Sequence, residues 1–176
     1  MTAVVAVLAG GRGRRLGEPK ALADVGGAPL IARPLAAAAA AGLEAVVVAK
    51  RATPLPDGLT VWHEPDEPVH PLLGVVTALE RAGGPVIALP CDMPFVPPAL
   101  LARLAAGPEA AVRVHGEVQP FPARYEPAAL PALRDAVERG AAARAMVAGA
   151  AVDVEADVLR SVNTPEELAA AREELA

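Results

Sequence analysis

The first apolar segment of the chain, together with the loop behind it, restricts the fold more than any other stretch. Residues 3–9 are apolar throughout, which indicates a buried strand, and the run stops at Gly10 and Gly11. The loop that follows is rich in arginine and glycine and ends in Lys20. Glycine lets backbone N–H groups approach a ligand because it has no Cβ, and arginine and lysine carry charge that suits phosphate. A strand followed by such a loop is a common way for α/β proteins to hold nucleotide phosphates.

The alternative is an ordinary glycine-rich connection with solvated arginines. It is disfavoured because a plain link between a strand and a helix usually has only about 2–6 residues. Two familiar phosphate motifs fail on spacing. A Walker A motif needs Gly-Lys followed by Ser or Thr, whereas Lys20 stands between Pro19 and Ala21. A dinucleotide fingerprint needs Gly-x-Gly-x-x-Gly, but residues 11–17 are one residue too long and no acid closes the second strand.

The length and composition indicate a globular chain, and we expect one domain over residues 1–176. Hydrophobic residues make up 53% of the sequence, yet no apolar run reaches the roughly 18–20 residues of a membrane span. The first strand begins almost at Met1, which leaves no room for a signal peptide, and the single cysteine fits a reducing cytosol. We therefore expect a cytoplasmic protein. The net charge of −5 argues against a general nucleic-acid or membrane-surface binder.

Apolar strand patterns alternate with helical patterns along the chain. The sequence predicts strands at residues 3–9, 44–49, 59–62, 85–89, 110–114, 123–125 and 152–154. Helices are predicted at residues 29–41, 71–82, 97–106, 128–139, 142–148 and 165–175. This alternation predicts a three-layer α/β/α fold, Rossmann-like, around a mostly parallel sheet.

Charged residues that could meet a ligand follow the first, third and fourth predicted strands. The first strand ends in the basic loop, the third ends near Glu64 and Asp66, and the fourth ends near Asp92. Ligands of open α/β sheets bind at the carboxyl ends of the strands. We therefore expect these three loops to share one edge of the sheet.

Asp92 lies in the sequence Pro-Cys-Asp-Met-Pro behind an apolar strand. A carboxylate at a strand end beside a phosphate loop suits Mg²⁺, which takes one or two carboxylates and completes its octahedron with phosphate oxygens and water. The alternative is an aspartate that stabilises the turn before Pro94. For Cys91, next to it, no pattern of histidine and asparagine partners indicates a nucleophile, and we expect a small core residue.

The sequence holds few lysines and side-chain amides, so those that remain are candidates for a function. Lys20 is one of two lysines, Gln119 is the single glutamine and Asn163 the single asparagine. Lys20 is either a compact point charge for phosphate, with Arg15 in the same loop, or a solvated loop lysine. Gln119 and Asn163 can donate and accept hydrogen bonds at a ligand, or they stabilise turns.

Two interpretations remain for the acidic loop after the third strand. Glu64 and Asp66 either contact a base or ribose, or they simply solvate the loop. The three histidines, which have no metal-ligand spacing and for which we expect solvated loop positions, are His63, His70 and His115.

Five segments match, in order, the motifs of one known family, and they span nearly the whole chain. They are Leu-Ala-Gly-Gly at 8–11 with Arg15, Gly17 and Lys20 behind it, His-Pro-Leu-Leu-Gly at 70–74, Pro-Cys-Asp-Met-Pro at 90–94, Gln-Pro at 119–120, and Val-Asn-Thr-Pro-Glu-Glu-Leu at 162–168. The sequence therefore resembles the molybdenum cofactor guanylyltransferases. These enzymes are a branch of the nucleotidyltransferases whose fold is of the nucleotide-diphospho-sugar transferase type.

The resemblance implies a nucleotidyltransferase that binds GTP across the first loop and uses Mg²⁺. The nucleotide-binding residues that it implies are Leu8, Ala9, Gly10, Gly11, Lys20, Glu64, Asp66 and Asp92. It implies catalytic roles for Arg15, Lys20 and Asp92, with Asp92 holding the metal. Gln119 and Asn163 are implied to face the pterin substrate or the outer shell of the metal.

In the implied reaction, the terminal phosphate of molybdopterin attacks the α-phosphorus of GTP in line and pyrophosphate leaves. The product is molybdopterin guanine dinucleotide, and no covalent enzyme intermediate is needed. The resemblance further implies molybdenum cofactor biosynthesis proteins and molybdoenzymes as protein partners.

Two departures from the family pattern concern which nucleotide base the protein prefers. The family often has an asparagine after the second strand, where this chain has Ala49 and Lys50, and an aspartate after the third strand, where Glu64 stands nearest. Cytidylyl transfer to the same cofactor is therefore an alternative. Two further alternatives are nucleotidyl transfer to a sugar phosphate and a non-catalytic nucleotide-binding module.

Overall fold

A mostly parallel main sheet positions the other elements of the fold. The computed structural model describes residues 2–10, 16–107, 109–146 and 150–176. In this part of the chain the strands and α-helices are, in order, β1 (Val4–Leu8), β2 (Asp24–Val25), β3 (Ala28–Pro29), α1 (Ala32–Ala40), β4 (Ala45–Ala49), β5 (Val61–His63), α2 (Leu73–Ala82), β6 (Val86–Pro90), α3 (Pro98–Ala106), β7 (Glu109–Val114), β8 (Glu117–Gln119), β9 (Ala123–Tyr125), α4 (Leu130–Glu138), β10 (Ala150–Asp153) and α5 (Pro165–Glu174). The main sheet has the order β5-β4-β1-β6-β9, and β9 runs antiparallel to β6 while the other pairs are parallel. The predicted α/β fold with a mostly parallel sheet is confirmed.

The central strand β1 shows why this sheet is covered on both faces. Its residues Val5 and Val7 belong to a hydrophobic cluster shared with α1 and α3, whereas Ala6 between them belongs to a second cluster shared with α2 and α4. All three residues are fully buried. A parallel sheet with helices on both faces needs strands that are apolar throughout, and the sequence shows this pattern at residues 3–9.

Two of the predicted strands lie outside the main sheet. The segments predicted at 110–114 and 152–154 are β7 and β10, which pair in parallel in a second, three-stranded sheet of order β10-β7-β8. A tight turn at His115 and Gly116 joins β7 to β8, and both residues have positive φ (50° and 83°), as a two-residue hairpin turn requires. The sequence pattern predicts the strands themselves but not which strands pair.

Helix α1 begins later than predicted. The predicted helix at 29–41 starts at Ala32 because Ala28–Pro29 pairs instead with Asp24–Val25 in a small hairpin. The segment predicted as a helix at 142–148 contains a short 3₁₀ helix at Ala143–Met146, and its last two residues lie outside the described ranges. Among the described residues, no helix has both the length and the apolar character that crossing a bilayer demands.

The last helix, α5, is fixed at both ends. At its start, Thr164 Oγ1 accepts from the Glu167 backbone N–H at 3.2 Å, and the Glu167 carboxylate accepts from Thr164 N and Asn163 N. This capping box satisfies backbone donors that the helix itself leaves free. Near its end, Arg33 Nη2 donates to Leu175 O at 3.0 Å. The helix packs with the β2–β3 hairpin in a third, smaller hydrophobic cluster.

We predict that Thr164→Ala lowers the free energy of unfolding by about 1 kcal/mol, since it removes the acceptor for the Glu167 N–H. Urea unfolding followed by circular dichroism measures this difference. The control is Thr164→Ser, which keeps the hydroxyl and retains most of the stability. Equal losses in the two variants would show that the capping hydrogen bond contributes nothing.

Candidate active site

The carboxyl ends of β1, β4, β5 and β6 open into one cavity of about 890 Å³. Backbone hydrogen bonds continue the sheet just past these ends: Cys91 N donates to Leu8 O at 3.0 Å, and Glu64 N donates to Ala49 O at 3.0 Å. The described residues that line the cavity include Leu8, Ala9, Gly10, Gly17, Glu18, Pro19, Lys20, Lys50, Glu64, Asp66, His70, Gly74, Asp92 and Phe121. The expectation that the loops after the first, third and fourth main strands share one edge is confirmed.

The Lys20 side chain links its own loop, after β1, to the loop after β6 and to the segment before α5. It begins a 3₁₀ helix at Lys20–Leu22, and its Nζ donates to Asp92 Oδ2 at 2.7 Å and to Asn163 Oδ1 at 2.6 Å. The side chains of Lys20 and Asp92 are only 16% and 17% exposed, so water screens this ion pair weakly. Val162 N donates to Asp92 O at 2.9 Å, which ties the segment before α5 directly to the loop after β6.

The Asp92 carboxylate has one oxygen without a partner. Oδ2 accepts from Lys20, while Oδ1 is buried and has no hydrogen-bond partner among the described residues. Within those residues no cluster of three or more metal-ligating side chains exists. The chemistry therefore fits Mg²⁺ bound through a single carboxylate, with substrate phosphates and water supplying the other oxygens, and does not fit a site built entirely of protein ligands.

Two glycines make room for the Glu64 carboxylate at the other end of the cavity. A Cβ added to Gly10 would lie 2.0 Å from Glu64 Oε1, and one added to Gly74 would lie 3.1 Å from Glu64 Oε2. No side chain larger than hydrogen fits at Gly10 unless Glu64 moves. Burial raises the pKa of Glu64, and of its two charged neighbours Lys50 lowers the pKa and Asp66 raises it.

Lys50 orders the acidic loop that carries Asp66. Its Nζ donates to the backbone carbonyls of Pro65, at 2.8 Å, and of Asp66. In the sequence, Lys50 is conspicuous only as a departure from a family pattern. The pairing of β4 with β5 brings its side chain to this loop, and that pairing is not readable locally.

The prediction of a solvated loop position for His70 is wrong. Its Nδ1 accepts from Leu72 N at 3.1 Å, so the proton lies on Nε2, which donates to Ala141 O at 2.9 Å. The ring joins the start of α2 to the loop behind α4. A histidine whose two nitrogens both have backbone partners has a structural task at the wall of the cavity.

The remaining predicted site residues divide into three groups. Leu8, Ala9 and Asp66 line the cavity together with Lys20, Glu64 and Asp92. Gln119 and Asn163 are not among the described residues that line it: Gln119 Nε2 donates to Glu117 O at 3.2 Å, and Asn163 reaches the site through Lys20. The predictions for Gly11 and Arg15 lie outside the described residues, as do those for Arg12 and Arg14.

Cys91 is the small core residue that the sequence predicts. It is buried, and burial, with Asp92 beside it, raises the pKa of its thiol to about 12. The thiol is therefore protonated at neutral pH and is a poor nucleophile.

Comparison with known proteins identifies the family. Residues 5–155 match the model of the MobA-like NTP transferase domain. The chain is 34% identical to the molybdenum cofactor guanylyltransferase of Rhodobacter capsulatus over 96% of its own length and 94% of that protein. The chain belongs to the MobA-like NTP transferase family.

Solved structures of other proteins show the same fold. Molybdopterin-guanine dinucleotide biosynthesis protein A from Archaeoglobus fulgidus superposes with a TM-score of 0.76 at 24% identity, over 97% of both chains. A protein from Mycobacterium tuberculosis H37Rv, crystallised as a complex with manganese, superposes with a TM-score of 0.68 at 20% identity over 98% of both chains. As a MobA-like NTP transferase, the chain is a nucleotidyltransferase, and the resemblance stated from its motifs is confirmed.

We predict that Glu64→Gln stabilises the protein increasingly as the pH rises. Because the pKa of Glu64 is raised in the folded state, its contribution to stability is full below the ordinary value of 4.5 and is lost as the pH rises through the folded-state pKa. Glutamine has no such dependence. Melting temperatures from pH 4 to pH 8 measure the difference between variant and natural protein, which should grow in favour of the variant over this range.

Glu44→Gln, at an exposed position, controls for the loss of one negative charge. A difference for Glu64→Gln that stays constant with pH, or that follows the Glu44→Gln control, would show that burial does not disfavour the Glu64 carboxylate.

Proposed function

We propose that this protein transfers GMP from GTP to the terminal phosphate of molybdopterin, forming molybdopterin guanine dinucleotide and pyrophosphate. The proposal takes residues 1–176 as one cytoplasmic nucleotidyltransferase domain, with molybdenum cofactor biosynthesis proteins and molybdoenzymes as its partners. The observation that carries it is the close contact of Lys20 with Asp92 at the cavity edge, in a chain of this family. Lys20 can contact the phosphates of a nucleotide, and Asp92 beside it can bind a divalent cation.

The phosphates of GTP are proposed to lie near Lys20, with Arg15 and the Gly10–Gly11 backbone as further contacts. The Lys20 ammonium is a compact positive charge, partly buried, and it lowers the energy of negative charge that develops on the phosphate oxygens. Asp92 would hold Mg²⁺, which when bound supplies Lewis-acid stabilisation of the same oxygens. Asn163 Oδ1 accepts a second hydrogen bond from Lys20 Nζ, at 2.6 Å, which holds the lysine side chain in place.

The reaction needs positioning more than covalent chemistry. The acceptor phosphate already carries negative charge and is itself the nucleophile, so no general base or enzyme nucleophile is required. The buried, protonated Cys91 thiol beside Asp92 is consistent with this view. Catalysis then comes from in-line alignment of the acceptor phosphate with the α-phosphorus, and from charge neutralisation by Lys20.

The nucleoside is proposed to lie over Leu8, Ala9 and Gly10, next to Glu64 and Asp66. The Watson–Crick edge of guanine presents N–H donors, and a carboxylate accepts from both an imino and an amino group in a bidentate manner. The Glu64 carboxylate fills the space that a Cβ on Gly10 would need. Cytidylyl transfer is the second candidate, because Lys50 stands where the family often has asparagine and donates to backbone carbonyls of the loop that holds Asp66.

The experiment that tests the function is pyrophosphate release with GTP, CTP and ATP, each with molybdopterin and with a sugar 1-phosphate as acceptor. Release with GTP and molybdopterin supports the proposal. Faster release with CTP would favour the second candidate, release with a sugar phosphate alone would reject molybdopterin as acceptor, and GTP binding without release would indicate a non-catalytic module.

We predict that Asp92→Asn reduces guanylyl transfer by at least about a hundredfold at saturating Mg²⁺, because the amide carries no charge for the cation. The rate of pyrophosphate release measures the loss. Asp135→Asn is the matched control, since Asp135 lies on α4 and pairs with Arg139 at the surface. A rate for Asp92→Asn near that of the control would remove Asp92 from the metal role.

We predict that Lys20→Ala lowers kcat/KM for GTP at least tenfold, which corresponds to about 1.4 kcal/mol of transition-state stabilisation. Lys20→Arg keeps the positive charge but replaces a point charge by a planar group, so a smaller loss is expected. Steady-state kinetics with GTP varied at fixed molybdopterin measures both variants. An unchanged kcat/KM for Lys20→Ala would contradict the phosphate role.

A further inference from the structure

The Lys20 ammonium is paired with the carboxylate that is proposed to hold the metal. Its Nζ is 2.7 Å from Asp92 Oδ2 and 2.6 Å from Asn163 Oδ1. Of the two carboxylate oxygens, Oδ2 is paired with Lys20 and Oδ1 is buried, so neither is open to a cation while Lys20 stays in place. Carboxylate and amide oxygens are also the ligand types that hard divalent cations take. The Lys20 ammonium is therefore paired with the oxygens that a cation would otherwise bind.

We propose that Lys20 is the resident counter-ion of Asp92 in the ligand-free protein, and that a divalent cation binds Asp92 only when Lys20 has moved away. The inference rests on the proposed function in one respect, because it takes Asp92 as the carboxylate that holds the metal. It goes beyond that function in stating what the same carboxylate binds when no nucleotide is present.

Asn163 is a positioning residue in this arrangement. Its backbone N–H donates at 2.6 Å to Glu167 Oε2, the carboxylate that also forms the α5 capping box with Thr164, so the segment that carries its amide is held in place. The neighbouring Val162 N–H donates to Asp92 O at 2.9 Å and fixes the distance between that segment and the carboxylate. Lys20 is thus held between two oxygens whose own backbones are tied together.

The exchange couples metal binding to nucleotide binding. A divalent cation that enters alone leaves the ammonium of Lys20 close by without its anion, and two like charges at short range in a partly buried site repel each other. The triphosphate of a nucleotide supplies negative charge for both cations. We therefore expect weak binding of metal alone, with Lys20 passing from Asp92 to the phosphates when metal and nucleotide bind together.

Lys50 provides a matched control, since it is the other lysine of the chain and also lines the cavity. Its Nζ donates to backbone carbonyls of Pro65 and Asp66, not to Asp92. If general positive charge in the cavity repelled the cation, removal of either lysine would tighten metal binding. If Lys20 instead blocks the Asp92 carboxylate directly, only the removal of Lys20 should tighten metal binding.

The test measures Mn²⁺ binding in the absence of nucleotide, by the electron paramagnetic resonance signal of the free ion. If Lys20 occupies the Asp92 carboxylate for nine-tenths of the time or more, the apparent affinity of the natural protein for Mn²⁺ is at least about tenfold weaker than that of the free carboxylate. Lys20→Met is therefore expected to bind Mn²⁺ at least about tenfold more tightly than the natural protein. Asn163→Ala, which removes one of the two acceptors of Lys20, should give a smaller tightening. Lys50→Met should change the affinity by less than about twofold, because the Lys50 ammonium donates to backbone carbonyls of Pro65 and Asp66 and does not pair with Asp92.

A second measurement follows the lysine side chains of the natural protein directly. With lysine labelled by ¹⁵N, the natural chain gives two ammonium signals in nuclear magnetic resonance, and Lys50→Met assigns them. Titration with Mg²⁺ should shift or broaden the Lys20 signal while the Lys50 signal stays in place. Adding Asp92→Asn to Lys20→Met should abolish the tight Mn²⁺ binding, which locates it at the carboxylate.

Three results would overturn the inference: equal or weaker Mn²⁺ binding by Lys20→Met, an equal tightening by Lys50→Met, or Mg²⁺ binding at Asp92 that leaves the Lys20 signal unchanged. None of these measurements contains nucleotide or depends on turnover. Absence of guanylyl transfer would therefore reject the proposed function without altering the result for Lys20, and the reverse also holds.

Discussion

The pairing of β1 with β4 on one side and with β6 on the other is the constraint on which the active site depends. Because the three strands are parallel and in register, their carboxyl ends come to one edge, and with them Gly10, Lys50 and the Asp92 loop. The pairing persists beyond the strands, since Ala9 N donates to Val48 O at 2.8 Å and Cys91 N to Leu8 O at 3.0 Å. Paired backbone therefore forms the floor of the cavity, and Lys20, Glu64 and Asp92 lie on the loops that follow the strands.

The small cluster under α5 gives the site its second support. Leu16, Val25, Leu30, Val162 and Leu168 pack there, so the segment behind the basic loop and the segment before α5 share one core. This sharing places Asn163 beside Lys20, although the two residues are 143 positions apart in the chain. Arg172 Nε donates to Asp24 O at 2.8 Å, which further attaches α5 to the β2–β3 hairpin. None of the described residues of α5 lines the cavity, so the helix supports the site by holding the segment that carries Asn163.

The strands of the main sheet and their shared edge are predictable from the sequence, because parallel strands covered on both faces must be apolar and because glycine and charge mark where they end. The capping residue Thr164 is likewise readable from local chemistry. The second sheet, the backbone partners of His70 and the contact of Lys50 with the Asp66 loop are not readable. Each of them depends on which distant segments pair, and no local pattern of residues encodes that choice.

Within the site, Glu64 likewise separates what the sequence predicts from what only the fold shows. The sequence places an acid after the third strand but does not show that this acid fills the space left by Gly10 and Gly74, which belong to different segments. Likewise, charge and rarity make Lys20, Asp92 and Asn163 separate candidates in the sequence. Only the fold shows that the three side chains contact one another. In the structure the Lys20 ammonium donates to the Asp92 carboxylate and to the Asn163 amide oxygen, and in the proposed function it also contacts the phosphates of the nucleotide.

The most direct test of the account follows the α-phosphorus itself. GTP labelled with ³²P at the α-phosphate is incubated with molybdopterin, Mg²⁺ and the protein, and the label is traced by chromatography while pyrophosphate is measured. The account predicts that label enters the pterin product in equal amount to pyrophosphate released, with none bound covalently to protein. Label that remains in GTP, is released as free GMP or stays attached to the protein would contradict it.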